Sequence, residues 1–235
     1  MSGDPLILAL PSKGRLMERA KELFENAGMP VRKTGHERGY RGEITGRQGV
    51  EIAFLSASEI TQQLNLGRVH AGITGEDLIE ESGREGVTRI ELVRPLGFGG
   101  ADVVVAVPEC WLDVSKVGDI EEVAAIFFRE HGRRLRVATK YMNLTRRFFS
   151  EKGVTGYRIV ESLGATEGTI GAGTAEMIVD ITSTGTTLKA NHLKVLDDGL
   201  ILKSQAMLAR SKTADWSKHN RDVMEDIVLR LESGG

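Results

Sequence analysis

The chain has 235 residues, 40% hydrophobic and 27% charged, with a formal charge of −2 at pH 7, the composition of a soluble globular protein with room for one large or two small cores. No stretch approaches the ~20 apolar residues of a membrane-spanning helix, and Lys and Arg are spread along the chain rather than gathered into a stripe for nucleic acid. One cysteine, Cys110, has no partner for an internal disulfide and reads as a small residue after a strand.

The opening, MSGDPLILALPSKGRL, lacks the basic start and long apolar run of a secretion signal, so a cytosolic location is expected and LILAL (6–10) reads as a buried strand. Leu16, Ala20, Leu23, Phe24 and Ala27 give one apolar face to a helix that ends at Gly28. EIAFL (51–55) is the next strand, and Ser56 with Glu59 resembles a capping box opening a helix through Ile60 and Leu64. HAGIT (70–74), DVVVAVP (102–108), LRVAT (135–139), YRIVE (157–161) and EMIVDI (176–181) are further short apolar runs bounded by turn residues. Between two of them, Ile120, Val123, Ala124, Phe127 and Phe128 form another helical stripe. Strand and helix alternate, which predicts an α/β protein with mostly parallel sheet. Gly97, Gly99 and Gly100 mark a flexible crossing into a second set of strands, and ILKSQAMLA (201–209) carries the chain back. The expected organisation is a first lobe begun by residues 1–96, a second lobe of 97–193, and 194–235 returning to the first with strands and a helix bearing Val223, Ile227 and Leu231.

The stretch IVDITSTGTTL (178–188) runs from a dry strand into a cluster of hydroxyls about one glycine. A loop of Thr182, Ser183, Thr184, Gly185, Thr186 and Thr187 before a helix start offers backbone N–H groups and hydroxyls to a phosphate. Gly185 permits close approach of the backbone. Asp180 is out of place for phosphate alone and suits a sugar hydroxyl or a hydrated magnesium ion. The composite ligand is a ribose phosphate; the alternative is a hydroxyl-rich helix cap.

Residues 167–188, EGTIGAGTAEMIVDITSTGTTL, resemble the signature of the ATP phosphoribosyltransferase family through Glu167, Gly173, Asp180, Thr184, Gly185, Thr187 and Leu188. ALPSKGRL (9–16), GITGEDLIEE (72–81) and VATKYMNLTRRFF (137–149) also resemble that family, in the expected order. The resemblance implies a two-lobed fold like type II periplasmic binding proteins, with the site in a closable cleft between lobes. It implies a reaction of ATP with 5-phosphoribosyl 1-pyrophosphate (PRPP), with magnesium, giving phosphoribosyl-ATP and pyrophosphate. On this reading residues 182–187 cradle the 5-phosphate, Asp180 faces the ribose, and Glu161 and Glu167 accept sugar hydroxyls or hold magnesium through water. Lys13 and Arg15, with Gly14 between them, suit the pyrophosphate or the ATP phosphates. Lys13, Arg15 and Asp180 are thus the expected catalytic residues, without an assigned set of direct metal ligands. Gly75, Glu76 and Asp77 look toward the nucleotide, Tyr141 matches a position near the adenine, and Asn143 reads as a helix cap.

Many members carry an arginine in the segment that here reads AFLSASEIT (53–61), which has none. Arg32, Arg38, Arg41 or Arg47 are the candidate replacements. The chain resembles the family's short form, which implies a regulatory subunit similar to histidyl-tRNA synthetase and a homodimer of this chain within a hetero-oligomer. Competing readings are a solute receptor or sensor domain of the same architecture, an inactive subunit, and a type I phosphoribosyltransferase acting on another base.

Overall fold

The uninterrupted apolar run near the start forms strand β1 (Leu6–Pro11). Leu6, Leu8 and Leu10 bury one face and Ala9 the other; a strand covered on both sides has no need of polar alternation. The structure, a computed structural model, describes residues 4–34 and 40–233. Helix α1 (Gly14–Asn26) buries Ala20 and Phe24 and leads to β2 (Val31–Lys33), β3 (Arg41–Ile44) and β4 (Val50–Leu55). Helix α2 (Ala57–Asn65) opens on the expected capping box, in which Ser56 Oγ accepts from the Glu59 N–H at 3.3 Å and Glu59 Oε2 accepts from the Ser56 N–H at 2.8 Å. Then follow β5 (Ala71–Gly75), α3 (Glu76–Glu81), α4 (Gly83–Arg89) and β6 (Ile90–Pro95).

The chain next builds a second unit, Gly100–Ser204. Its elements are β7 (Ala101–Pro108), α5 (Asp119–His131), β8 (Leu135–Thr139), α6 (Met142–Glu151), β9 (Tyr157–Glu161), a 3-10 turn at Thr166–Thr169, β10 (Met177–Thr182), α7 (Thr186–Ala190) and β11 (Leu193–Ser204). They form a five-stranded sheet in the order β11-β7-β10-β8-β9. The chain then returns as β12 (Ala206–Ser211) and α8 (Lys218–Ser233), completing a first unit of Met1–Gly99 and Gln205–Gly235. That unit's seven-stranded sheet runs β2-β3-β4-β1-β5-β12-β6.

The two-unit α/β architecture is the one expected, but its sheets are mixed rather than mostly parallel, with six of the ten strand pairings among the described residues antiparallel, and its boundaries fall elsewhere. Residues 194–204 were expected among the return strands, whereas β11 pairs antiparallel with β7 and so belongs to the second unit. A side chain in the irregular middle of β11 secures it there: Asp198 Oδ1 accepts from the Val117 N–H at 2.7 Å, and Oδ2 pairs with Lys152 Nζ at 2.8 Å. The apolar run 201–209 is therefore two strands, with the return beginning at Gln205.

A second latch closes the approach to β8. The Glu176 carboxylate, 13% exposed, meets Arg136 at 2.6 Å and Arg133 at 3.1 Å, and accepts from the Arg136 backbone N–H at 2.7 Å. Burial by itself would push the carboxyl up, yet the bonds from Arg136 and Arg133 hold it at about 2, against an ordinary 4.5. A depressed folded pKa means that the stabilisation is complete above the ordinary range and is lost as pH falls toward the folded value. We expect stability, measured by urea unfolding, to decline between about pH 4.5 and 2 in part through this group. Glu176→Gln should cost about 1–3 kcal/mol at pH 7 and flatten that part of the acid limb.

Candidate functional site

Strands β8, β9 and β10 run parallel, with Thr139 opposite Glu161 and Ala138 opposite Ile178. Their carboxyl ends therefore finish together, and three connections emerge from one edge: Thr139 to Tyr141, Glu161 onward, and Asp180 to Thr187. The carboxyl edge is where open α/β sheets bind ligands. Asp180 is half-buried there, and its Oδ1 accepts from the Ile181 N–H at 2.8 Å. Burial raises its carboxyl pKa; the Ile181 bond and the Lys140 charge oppose this, and Glu167 adds to it. The structure thus brings Asp180 and Glu167 into one electrostatic neighbourhood with Lys140, a residue sequence reasoning did not single out. Glu161 stands exposed on the same edge, outside the groups whose charges shift Asp180.

The hydroxyl loop is organised around its own backbone. Thr182 Oγ1 accepts from the Gly185 N–H at 2.9 Å, and the Thr184 and Thr186 hydroxyls lie 2.8 Å apart. Ser183, Thr184, Thr186 and Thr187 are exposed. Gly185 takes φ 73°, a left-handed conformation that side-chain-bearing residues resist, and no atom lies within 4 Å of where its Cβ would be. Helix α7 begins at Thr186 as expected but spans only 5 residues, so the donors here are mainly loop N–H groups and hydroxyls rather than a long helix dipole.

Tyr141 is 1% exposed, with its backbone N–H given to Thr139 Oγ1 at 2.8 Å and Lys140 Nζ 5.0 Å from its ring centroid. It precedes α6, which starts at Met142. Asn143 therefore lies inside the first helical turn rather than at the cap.

The first unit has an edge of the same kind. Strands β4 and β5 both run parallel to β1. At the end of β1, Lys13, Gly14 and Arg15 are exposed, and the Ser12 N–H donates to Leu55 O of β4 at 2.8 Å. After β4, the hydrogen bonds from the Ser56 hydroxyl and backbone hold the Glu59 carboxyl low, and the Lys13 charge acts in the same direction. After β5, Gly75 caps α3, whose first turn holds Glu76 and the buried Asp77. Burial raises the Glu76 carboxyl, with Glu80 and Asp77 adding to it. Buried Thr74 donates to Ala57 O at 2.8 Å and lies 3.0 Å from the Thr61 hydroxyl, tying the end of β5 to the first turn of α2. At Gly72 a Cβ would come within 2.7 Å of Ile60 Cγ2, so glycine is what lets α2 lie this close to β5.

The candidate replacement arginines separate clearly. Arg47 is held on α8, pairing with Asp226 at 2.6 Å and donating to Val223 O at 3.3 Å. Arg41 pairs with Glu51 at 3.1 Å. Arg32 is exposed on β2, without an ion partner among the described residues. Arg38 lies outside the described residues.

The family described as HisG, ATP phosphoribosyltransferase, matches residues 56–233. Over 99% of its length the chain is 59% identical to an ATP phosphoribosyltransferase of Bradyrhizobium sp. (strain ORS 278), of which it spans 71%. Among solved structures it resembles a chain of the ATP phosphoribosyl transferase (HisG:HisZ) complex from Thermotoga maritima, with TM-score 0.74, 23% identity, and coverage of 97% of this chain and 98% of that one. It also resembles the arginine-bound form of a truncated ArgBP from T. maritima, with TM-score 0.54, 13% identity, and coverage of 98% and 96% respectively. The two structural likenesses are likenesses of fold.

The glycine geometry yields a direct test. Gly185→Ala should cost about 1–2 kcal/mol through left-handed strain alone, because there is nothing for the methyl to strike. A much larger loss in thermal unfolding would mean that the loop is packed more tightly than its open surroundings indicate.

Proposed function

We infer that the chain, which belongs to the ATP phosphoribosyltransferase family, joins ATP to PRPP in the first step of histidine biosynthesis. Adenine N1 forms a bond to the anomeric carbon of PRPP while the bond from that carbon to the pyrophosphate oxygen breaks. Its electron pair leaves with pyrophosphate, and the products are phosphoribosyl-ATP and pyrophosphate. Positive charge builds on the sugar and negative charge on the leaving group, so catalysis calls for preorganised charge more than for a covalent nucleophile.

The observation that carries the residue assignment is the edge at β10, where a half-buried carboxylate stands beside a loop of exposed hydroxyls. On this reading the loop 182–187 receives the 5-phosphate, exchanging its internal Thr184–Thr186 contact for the anion. Asp180 and Glu167 face the ribose, and Glu161 stands at the rim. Lys13 and Arg15, exposed at the end of β1 with no ion partner among the described residues, are the cations for the phosphates of the nucleotide or the leaving group. Gly75, Glu76 and Asp77 form the nucleotide's edge. Tyr141 acts from beneath the surface, its ring being buried.

The reaction class is consistent with dependence on a metal ion, and magnesium is the ion we propose. No group of three or more His, Cys, Asp or Glu gathers into a metal cage among the described residues. Asp180 and Glu167 nevertheless fit an ion that arrives with substrate phosphates and keeps most of its water. When bound, such an ion supplies positive charge to the phosphate oxygens. We propose a cytosolic location from the proposed substrates, ATP and PRPP. Separately, no helix among the described residues is long and apolar enough to cross a membrane. By analogy with the T. maritima HisG:HisZ complex, we propose a regulatory subunit similar to histidyl-tRNA synthetase, with this chain as a dimer inside a hetero-oligomer.

Purified chain supplied with ATP, PRPP and magnesium should give phosphoribosyl-ATP, detected by mass, when pyrophosphatase is present. Asp180→Asn should lower turnover about 10²-fold, the scale of a misplaced reacting group, while shifting the melting temperature little. Parallel losses of activity and stability would return Asp180 to a structural role. Gly185→Val should abolish PRPP binding in calorimetry, and unchanged affinity would remove the loop from the phosphate site.

A further inference from the structure

The groups assigned to the phosphoribosyl donor on the second unit's edge are carboxylates and neutral hydroxyls: Asp180, Glu167, Glu161 and the loop 182–187. The donor itself is a polyanion, with one phosphate and one pyrophosphate. Carboxylates facing such a ligand at close range repel it unless positive charge stands among them. Several cations of this unit are already engaged. Arg133 and Arg136 are held by Glu176, Lys152 by Asp198, and Lys194 by Trp111 O.

Lys140 is placed differently. It follows the last residue of β8, a strand whose parallel register sets Val137 opposite Met177 and Ala138 opposite Ile178, two residues before Asp180. The field of its ammonium reaches the Asp180 carboxyl, yet no carboxylate among the described residues lies within ion-pair distance of it. The side chain is exposed, but it has a fixed support. Its Nζ lies 5.0 Å from the centroid of Tyr141, a ring that is 1% exposed and whose backbone is anchored to Thr139. An ammonium over an aromatic face is held by the ring's quadrupole without losing its charge or its hydrogen-bond donors. A lysine kept near a carboxylate, unpaired and steadied by a buried ring, is disposed to meet an incoming anion.

We propose that Lys140 is a substrate-binding residue of the phosphoribosyl-donor site: steadied over Tyr141 at the carboxyl end of β8, on the sheet edge that carries Asp180, its ammonium contacts a phosphate oxygen of PRPP and offsets the carboxylates there. This rests on the function proposed above and adds a residue and a role to it. It also gives buried Tyr141 a part that needs no contact with the adenine, namely holding the cation.

The test uses the full chain in four forms: wild type, Lys140→Met, Lys140→Arg and Lys189→Met. The last removes an equal charge from α7 in the same unit, where Lys189 is exposed. Calorimetric titrations with PRPP, ribose 5-phosphate and pyrophosphate are combined with steady-state KM for PRPP and for ATP. Lys140→Met should weaken PRPP about 10- to 100-fold, the range of a charge-assisted contact, and leave KM for ATP and the melting temperature near wild type. Lys140→Arg should recover most of the affinity, and Lys189→Met should retain it. Whichever fragment loses affinity with Lys140→Met, ribose 5-phosphate or pyrophosphate, identifies the phosphate contacted. Unchanged PRPP binding in Lys140→Met overturns the proposal, as would equal losses in Lys140→Met and Lys189→Met, which would show only the unit's overall field. A wild-type chain that fails to bind PRPP would instead overturn the donor-site reading, and this proposal with it.

Discussion

Pairing of β8 with both β9 and β10 is the constraint on which the second unit's chemistry depends. Val137 and Ala138 are buried among these strands, and a slip of one residue would turn every apolar side chain to the opposite face. The register is therefore set by the core and not by any substrate. Given that register, Glu161 must finish level with Thr139, and Asp180 must stand one step beyond. Polar groups that are distant in sequence, at 139–141, 161 and 180–187, are thus delivered to one edge as a consequence of apolar packing. The first unit repeats the logic around β1, with two added ties: the Ser12 bond to Leu55 and the Thr74 bond to Ala57. Those ties join three successive loop origins, so that the exposed Lys13 to Arg15 segment is mounted on a braced edge.

On the proposed reading the hydroxyl loop is a surface segment that is ordered and still ready for an anion. Its polar groups satisfy one another through bonds that each contribute on the order of 1 kcal/mol net, with Thr182 fixing the Gly185 N–H and Thr184 facing Thr186. On the proposed reading an arriving phosphate exchanges such bonds for stronger charge-assisted ones, while the left-handed Gly185 keeps side-chain atoms out of its approach. The loop is preorganised by hydrogen bonds that are weak enough to be surrendered.

The elements legible in the sequence were those with a local cause. LILAL had to be buried because nothing polar interrupts it, and Ser56 with Glu59 announced α2 because a capping box is complete within four residues. Strands β2, β3 and β6, reading VRK, RGEI and IELVRP, carry too many charges to look like strands and owe their state to their neighbours in the sheet. The division of 201–209 into two strands was hidden because both halves are apolar and only the pairing partners differ. Among candidate site residues, Asp180 and its loop could be proposed from chemistry packed into one stretch. Lys140, proposed for the same edge, was not, since a lone lysine beside a tyrosine reads as solvated surface until the pairing of β8 with β10 brings the two strand ends together. Nor did the sequence reveal that Arg47 is committed to Asp226 and Val223, the latter 176 residues away.

Fold alone does not make this chain an enzyme, because the same architecture appears in an arginine-binding protein with TM-score 0.54. A receptor needs only to match its ligand at rest, whereas a transferase must favour a charge distribution that exists partway through the reaction. On the proposed reading the β10 edge serves the second task. Asp180 is half-buried, and burial works against its ionised form while Lys140 and the Ile181 N–H support it. On the proposed reading this carboxylate faces the positive charge arising on the ribose as pyrophosphate departs. On that reading Lys140, whose charge favours the ionised form of Asp180 against burial, is also the cation that meets the substrate's phosphate, so binding and activation draw on the same pair of residues.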